Sequence, residues 1–215
     1  MVAAHIKSVK DIEDRDFLES DITQENIDKL RNMTLPVLNE EIVERIEKAV
    51  EKAREEKDSL GGIVEIMVTG LPAGIGDPYF ESMESELSRM IFSVPATKGI
   101  EFGAGFGITE MTGYEANDEM YYDENGNIKS FTNNNGGIIG GITTGMPISF
   151  KVAIKPTASI EKAQKTVNLE TKKNDILEVH GRHDPIIVPR AVPVLEAATA
   201  IVILDRVLEA KKYQL

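Results

Sequence analysis

The chain has 215 residues, a net charge of −12, 41% hydrophobic residues and no cysteine. This length supports one large domain or two small ones with a buried core. The missing thiols exclude disulfides, thiolate metal sites and cysteine nucleophiles, and the acidic surface repels nucleic acid and anionic lipid, so neither is an expected partner.

No apolar run reaches the roughly eighteen residues of a membrane span. The first residues, Met1-Val2-Ala3-Ala4-His5-Ile6-Lys7, lack the basic start and long apolar stretch of a signal peptide. A cytoplasmic location is the expectation. An anionic ligand would need a local cluster of Lys, Arg or His, which makes such clusters informative.

Residues 2–9 alternate weakly through Val2, Ala4 and Ile6 and predict a strand. Residues 10–36 are polar and acidic, with a short helical stretch around Ile22–Met33. Asn39-Glu40-Glu41-Ile42 opens a helix, with Asn39 as cap and two acids at the positive end of the dipole. Ile42, Ile46, Ala49, Val50 and Ala53 recur at helical spacing, and Gly61-Gly62 ends the pattern. Residues 63–69 predict a buried strand and residues 71–78 a loop. A second helix carries Phe80, Met83, Leu87, Met90 and Ile91 on one face, followed by a glycine-rich strand over 99–108. Asn125-Gly126 signals a hairpin turn.

Ile148, Phe150, Val152 and Ile154 alternate with Ser149, Lys151, Ala153 and Lys155, the clearest strand pattern in the chain. A last helix spans about Val192 to Lys212, with Pro193 near its first turn. It is apolar almost all round, which predicts cover on both sides. Mixed strands and helices without regular β-α alternation make the fold class α+β.

Gly103-Ala104-Gly105-Phe106-Gly107 lacks the spacing of a dinucleotide loop and reads as a closely packed strand. Asn133 to Gly145 holds two double glycines around Ile138-Ile139. It reads either as a bulged turn or as a loop whose backbone approaches a flat ligand or another chain. Lys155-Pro156-Thr157-Ala158-Ser159 is either a phosphate cradle, with a lysine charge and hydroxyl donors, or an ordinary polar turn.

Gly181-Arg182-His183-Asp184-Pro185 concentrates the most chemistry. Arg182 can fork a phosphate or carboxylate, Asp184 can serve as a proton acceptor, and the alternative is a salt-bridged surface turn. Arg190 adds a further cation. No His-x-x-x-His pair or calcium-type loop is present, so no metal is expected. The acidic run Asp118–Asp123 reads as solvated surface.

Taken in order, Leu71-Pro72-Ala73-Gly74-Ile75-Gly76-Asp77-Pro78, Lys98 to Phe106, Asn135 to Ile142, Lys155-Pro156-Thr157, Gly181 to Pro185 and Arg190-Ala191-Val192-Pro193 resemble the motifs of the chorismate synthases. The resemblance implies a β-α-β sandwich, with helices between antiparallel sheets, and a homotetramer. It implies a lyase that eliminates phosphate and a ring proton from 5-enolpyruvylshikimate 3-phosphate to give chorismate. Reduced FMN is the implied cofactor, with NADPH as a reductant of the flavin.

By position, Asp184 resembles the base that works with the flavin. Arg182 resembles the arginine that touches flavin and substrate, and Lys155, Pro156, Thr157, Ala158 and Ser159 resemble the segment holding the FMN phosphate and ribityl chain. Gly140 resembles a backbone contact to FMN, and Pro95 and Ala96 another flavin contact. Pro95 departs from the polar residue usual there, and Ala158 from a frequent serine. The family's Gly-Glu-Ser-His-Gly start, a substrate-binding arginine set and a second catalytic histidine have no counterpart here. The chain is therefore expected to be a single domain, 1–215, that is the C-terminal part of such an enzyme. The alternative expectation is an inactive remnant that binds FMN or only oligomerises.

Overall fold

The computed structural model describes residues 1–181 and 183–212. The chain opens with β1 (Val2–Val9) and the short β2 (Ile12–Glu13), then α1 (Gln24–Asn32) and α2 (Val43–Glu55). Next come β3 (Gly62–Val68), α3 (Met83–Ser93) and β4 (Thr97–Phe102). An excursion holds α4 (Gly113–Ala116) and the hairpin β5 (Met120–Tyr122) and β6 (Ile128–Ser130). The hairpin β7 (Ile138–Ile139) and β8 (Ile142–Thr143) leads into β9 (Ile148–Ile154), then the hairpin β10 (Gln164–Asn168) and β11 (Lys173–Leu177), and finally α5 (Val188–Lys212). The mixture is α+β.

Five strands form one antiparallel sheet in the order β2-β1-β3-β9-β4. Strand side chains alternate between faces, so register assigns each residue a side. Ile6, Val64, Val152 and Ile100 form one row of the inner face, and Ala4, Ile66, Phe150 and Phe102 the next. Against this face pack α5, over β1 and β3, and α3, over β4. Val188, Val192, Leu195, Thr199 and Val202 recur along α5 at three- and four-residue spacing, and all are buried.

The opposite face carries a charged row, His5, Glu65, Lys151 and Glu101, each opposite the next. Over it lies the acidic stretch after β2. Phe17, Ile22, Ile27 and Leu30 close a second small core on Ala3 and Met67. Thr23 caps α1 by accepting from the amide of Asn26 at 3.2 Å.

Several sequence expectations shift. Phe80 is not on the face of α3 but in a short 3-10 turn over Tyr79–Glu81. Ser82 caps α3 through the amide of Ser85, and Phe80 lies before it, 94% exposed. The glycine-rich strand stops at Phe102. Gly103 and Gly105 both take φ of +55°, and residues 105–110 form a 3-10 turn. The helix expected to end at Gly61 ends at Glu55, where Lys57 adopts φ +56°.

The last helix begins earlier than expected, at Val188, so Pro193 sits inside it. Its cover differs too. Ile201, Leu204 and Leu208 are at least half exposed, because the one large sheet among the described residues reaches a single side of α5. No described helix is long and apolar enough to cross a membrane.

Candidate functional site

The segments singled out above meet at the end of the sheet where β9 finishes and β3 and β4 begin. The amide of Lys155 donates to the carbonyl of Ala96 at 3.0 Å. Pro95 is exposed, and Ala96 takes φ +73°. A non-glycine residue in that region is uncommon and clusters at ligand clamps.

Ser59, Leu60 and Gly61 tie the other pieces together. Ser59 Oγ donates to the carbonyl of Thr157 at 2.7 Å. Leu60 N donates to the carbonyl of Pro185 at 2.7 Å, and Leu60 forms a parallel bridge with Ile186. A Cβ on Gly61 would lie 2.5 Å from the carbonyl oxygen of Ile154 and 2.9 Å from Pro156. Only glycine permits this close approach.

Beside this junction is a cavity of about 780 Å³ lined by Arg54, Glu161, Gly181, His183, Asp184, Pro185 and Arg190. The carboxylate of Asp184 pairs with the guanidinium of Arg190. Lys155 is exposed and forms no ion pair among the described residues. Two polar atoms at this end are buried without a partner among the described residues, Thr157 Oγ1 and His183 Nε2. Buried polar atoms are normally satisfied, so a free lysine charge, a free hydroxyl and a free imidazole nitrogen here suit a polar, anionic ligand. Thus Pro95, Ala96, Lys155, Pro156, Thr157 and Asp184 share one region. Ala158 and Ser159 follow as exposed residues of the same turn. Arg182 lies outside the described residues.

Gly140 stands elsewhere. It forms the tip of the β7–β8 hairpin, with φ +62° and nothing within 4 Å of an added Cβ. Its neighbour Gly141 accepts from the amide of Met83, at the start of α3, whereas Ala96 lies past the end of that helix. Eleven residues of helix place the two about 16 Å apart.

The other glycines of this loop meet backbone rather than open space. An added Cβ at Gly136 would lie 2.5 Å from Gly103 N, at Gly137 2.3 Å from Pro147 O, and at Gly141 2.7 Å from Asp77 O. The close backbone approach expected of the paired glycines is therefore mostly between segments of the chain itself. Sequence reading did not find Ser59, Arg54 or Glu161. Each is an ordinary polar residue whose role comes only from tertiary placement.

The family model described as chorismate synthase matches residues 1–208. A chorismate synthase of Methanocaldococcus jannaschii is 52% identical over 170 residues, 79% of this chain and 44% of that protein. Another, from Trichormus variabilis, is 41% identical over 207 residues, 96% of this chain and 56% of that protein. A solved chain described as the crystal structure of chorismate synthase superposes with a TM-score of 0.73 at 25% identity, covering 97% of this chain and 57% of that one. The chain spans about half the length of the curated relatives it matches.

Proposed function

We propose, from the premise that this chain belongs to the chorismate synthase family, that it supplies flavin- and substrate-binding residues to a lyase making chorismate. The substrate is 5-enolpyruvylshikimate 3-phosphate. One C–O bond breaks to release inorganic phosphate, one ring C–H bond breaks to release a proton, and a new C=C bond forms, with no net redox change. The activity is proposed of the protein carrying this chain, as a cytoplasmic homotetramer. The observation that carries the reading is the convergence of Ala96, Lys155–Thr157 and Asp184 on Ser59–Gly61.

The residues present fit FMN. The Lys155 ammonium and the Thr157 hydroxyl, both without a partner among the described residues, suit a phosphate and its polar chain. The left-handed turn at Ala96 brings backbone beside them. Bound reduced FMN supplies reversible electron donation to the substrate, and NADPH is the proposed source of its electrons. Asp184, held by Arg190 at the wall of the cavity, accepts the ring proton. Arg182 and Arg190 offer positive charge to phosphate and carboxylate groups. Gly140, at the opposite end of the sheet, is proposed as a separate backbone contact to flavin.

Lys155→Ala is expected to weaken FMN binding by about 1–3 kcal/mol, the range of a lost charged hydrogen bond. Flavin fluorescence titration of the protein carrying this chain measures it. An unchanged dissociation constant would remove Lys155 from the site.

A further inference from the structure

The acidic run after α4 is not uniformly solvated surface. Asp118 is half-buried and accepts four hydrogen bonds from residues well along the chain. Its Oδ1 takes Thr132 Oγ1 and the amide of Asn134, both at 2.7 Å. Its Oδ2 takes the amide of Asn135 at 3.0 Å and Asn135 Nδ2 at 2.8 Å. Every contact is a donor, so the site requires two acceptor oxygens, which an ionised carboxylate provides. Partial burial opposes the charge, but the donors of Asn135, Thr132 and Asn134 outweigh it and hold the carboxyl below its ordinary pKa.

The fixed segment runs directly into the glycine hairpin. The carbonyl of Asn134 accepts from Ala104 N at 2.9 Å, Asn133 Nδ2 donates to the carbonyl of Pro147 at 2.8 Å, and Gly137 O accepts from Thr144 N at 2.9 Å. These bonds, with the backbone contacts of Gly136 and Gly137, leave little freedom between Asn135 and β7. The first part of the hairpin open to solvent is Ile139-Gly140. Asp118 therefore anchors the base from which that tip projects.

We propose that Asp118 is a positioning residue: it fixes Thr132–Asn135 and, through Gly136-Gly137, sets the presentation of the Ile139-Gly140 backbone to flavin. The proposal rests on the reading above in which Gly140 touches FMN. A clamp that served only the β5–β6 hairpin would make a different prediction, and Asp123 supplies the control. Among the described residues, the Asp123 carboxylate bonds only within that hairpin's turn, to Asn125 and Asn127.

The experiment compares Asp118→Asn and Asp123→Asn in the protein carrying this chain. Asp118→Asn turns one acceptor oxygen into a donor facing other donors. Amide hydrogen exchange is expected to accelerate at Asn134 and Asn135, while β1 and β3 keep their protection. The half-saturating concentration of FMN is expected to rise by up to about tenfold, the scale of one lost backbone hydrogen bond. Asp123→Asn is expected to loosen the turn at 123–127 and leave FMN half-saturation unchanged. Accelerated exchange in Asp118→Asn with wild-type FMN affinity would overturn the positioning role, as would unchanged exchange at Asn134 and Asn135. Failure of the wild-type protein to bind FMN would instead overturn the flavin reading, and the positioning role with it.

Discussion

Asp184→Asn, in the protein carrying this chain, is expected to lower chorismate formation about a hundredfold or more while FMN affinity changes little. Asparagine keeps the size and shape of the side chain but cannot accept the ring proton, and loss of a positioned general base costs on the order of 10²–10⁴ in rate. The pairing with Arg190 does not alter the expectation. Arg190 is mostly exposed, and an ion pair open to water contributes little to stability. The rate loss would thus report chemistry rather than unfolding. Turnover near that of the wild type would reduce Asp184 to a structural partner of Arg190.

Glu65→Ala is expected to destabilise the fold by about 3–5 kcal/mol, the range for breaking a buried ion pair by removing one member. Glu65 is 1% exposed, and His5 is fully buried. One carboxylate oxygen of Glu65 accepts from His5 Nε2 at 2.7 Å and from the amide of Phe17 at 2.9 Å. On the other side of the ring, His5 Nδ1 lies 3.4 Å from Asp14. Asp14 in turn accepts from the amides of Leu38 and Asn39. Removing Glu65 therefore strands an imidazole and loosens the stretch that covers the outer face of β1 and β3.

The same cluster makes stability depend on pH. Burial disfavours charge on His5, but Asp14 and Glu65 outweigh it and raise the pKa above the ordinary 6.5. A raised pKa gives stability that is full below the unfolded value and is lost as pH rises through the folded one. Burial works against ionised Asp14 as well, but His5 and the amides of Leu38 and Arg15 hold it below its ordinary 3.8. Its contribution is present above that value and is lost as pH falls through the lowered one. Urea titration of this chain should find the His5 contribution declining above pH 6.5 and smaller in Glu65→Ala, where Asp14 alone still favours the charged ring. A flat profile in the wild type across that range would contradict a charged His5.

Regular hydrophobic spacing made much of the fold legible. The alternation from Ile148 to Ile154 marks an interior strand of the sheet and its inward face, and the Ile42–Ala53 spacing marks α2. Phe80 misled because its spacing extends the apolar stripe of α3, while the Ser82 cap starts the helix after it. The stretch 99–108 misled because positive φ at Gly103 and Gly105 ends the strand, a backbone property that composition does not display. The short hairpins β7–β8 and β10–β11 carry little apolar periodicity, so the sequence displays a bulged turn at the first and nothing at the second.

At the site, charge and turn chemistry singled out Lys155 to Ser159 and Asp184, because Lys, Asp and Pro are conspicuous in an acidic chain. Ser59 to Gly61 was not legible. Its role is to bring the two strand ends and the Pro185 turn into contact across about a hundred residues of sequence, a consequence of topology alone. His5 had no visible partner either, since Glu65 reaches it only through the register of β1 on β3.

The lyase reading is tested by anaerobic conversion of 5-enolpyruvylshikimate 3-phosphate by the protein carrying this chain, with reduced FMN supplied. Chorismate and inorganic phosphate should appear in equal amounts, and neither should form when FMN is left oxidised. Binding of reduced FMN and substrate with no chorismate formed would contradict that reading.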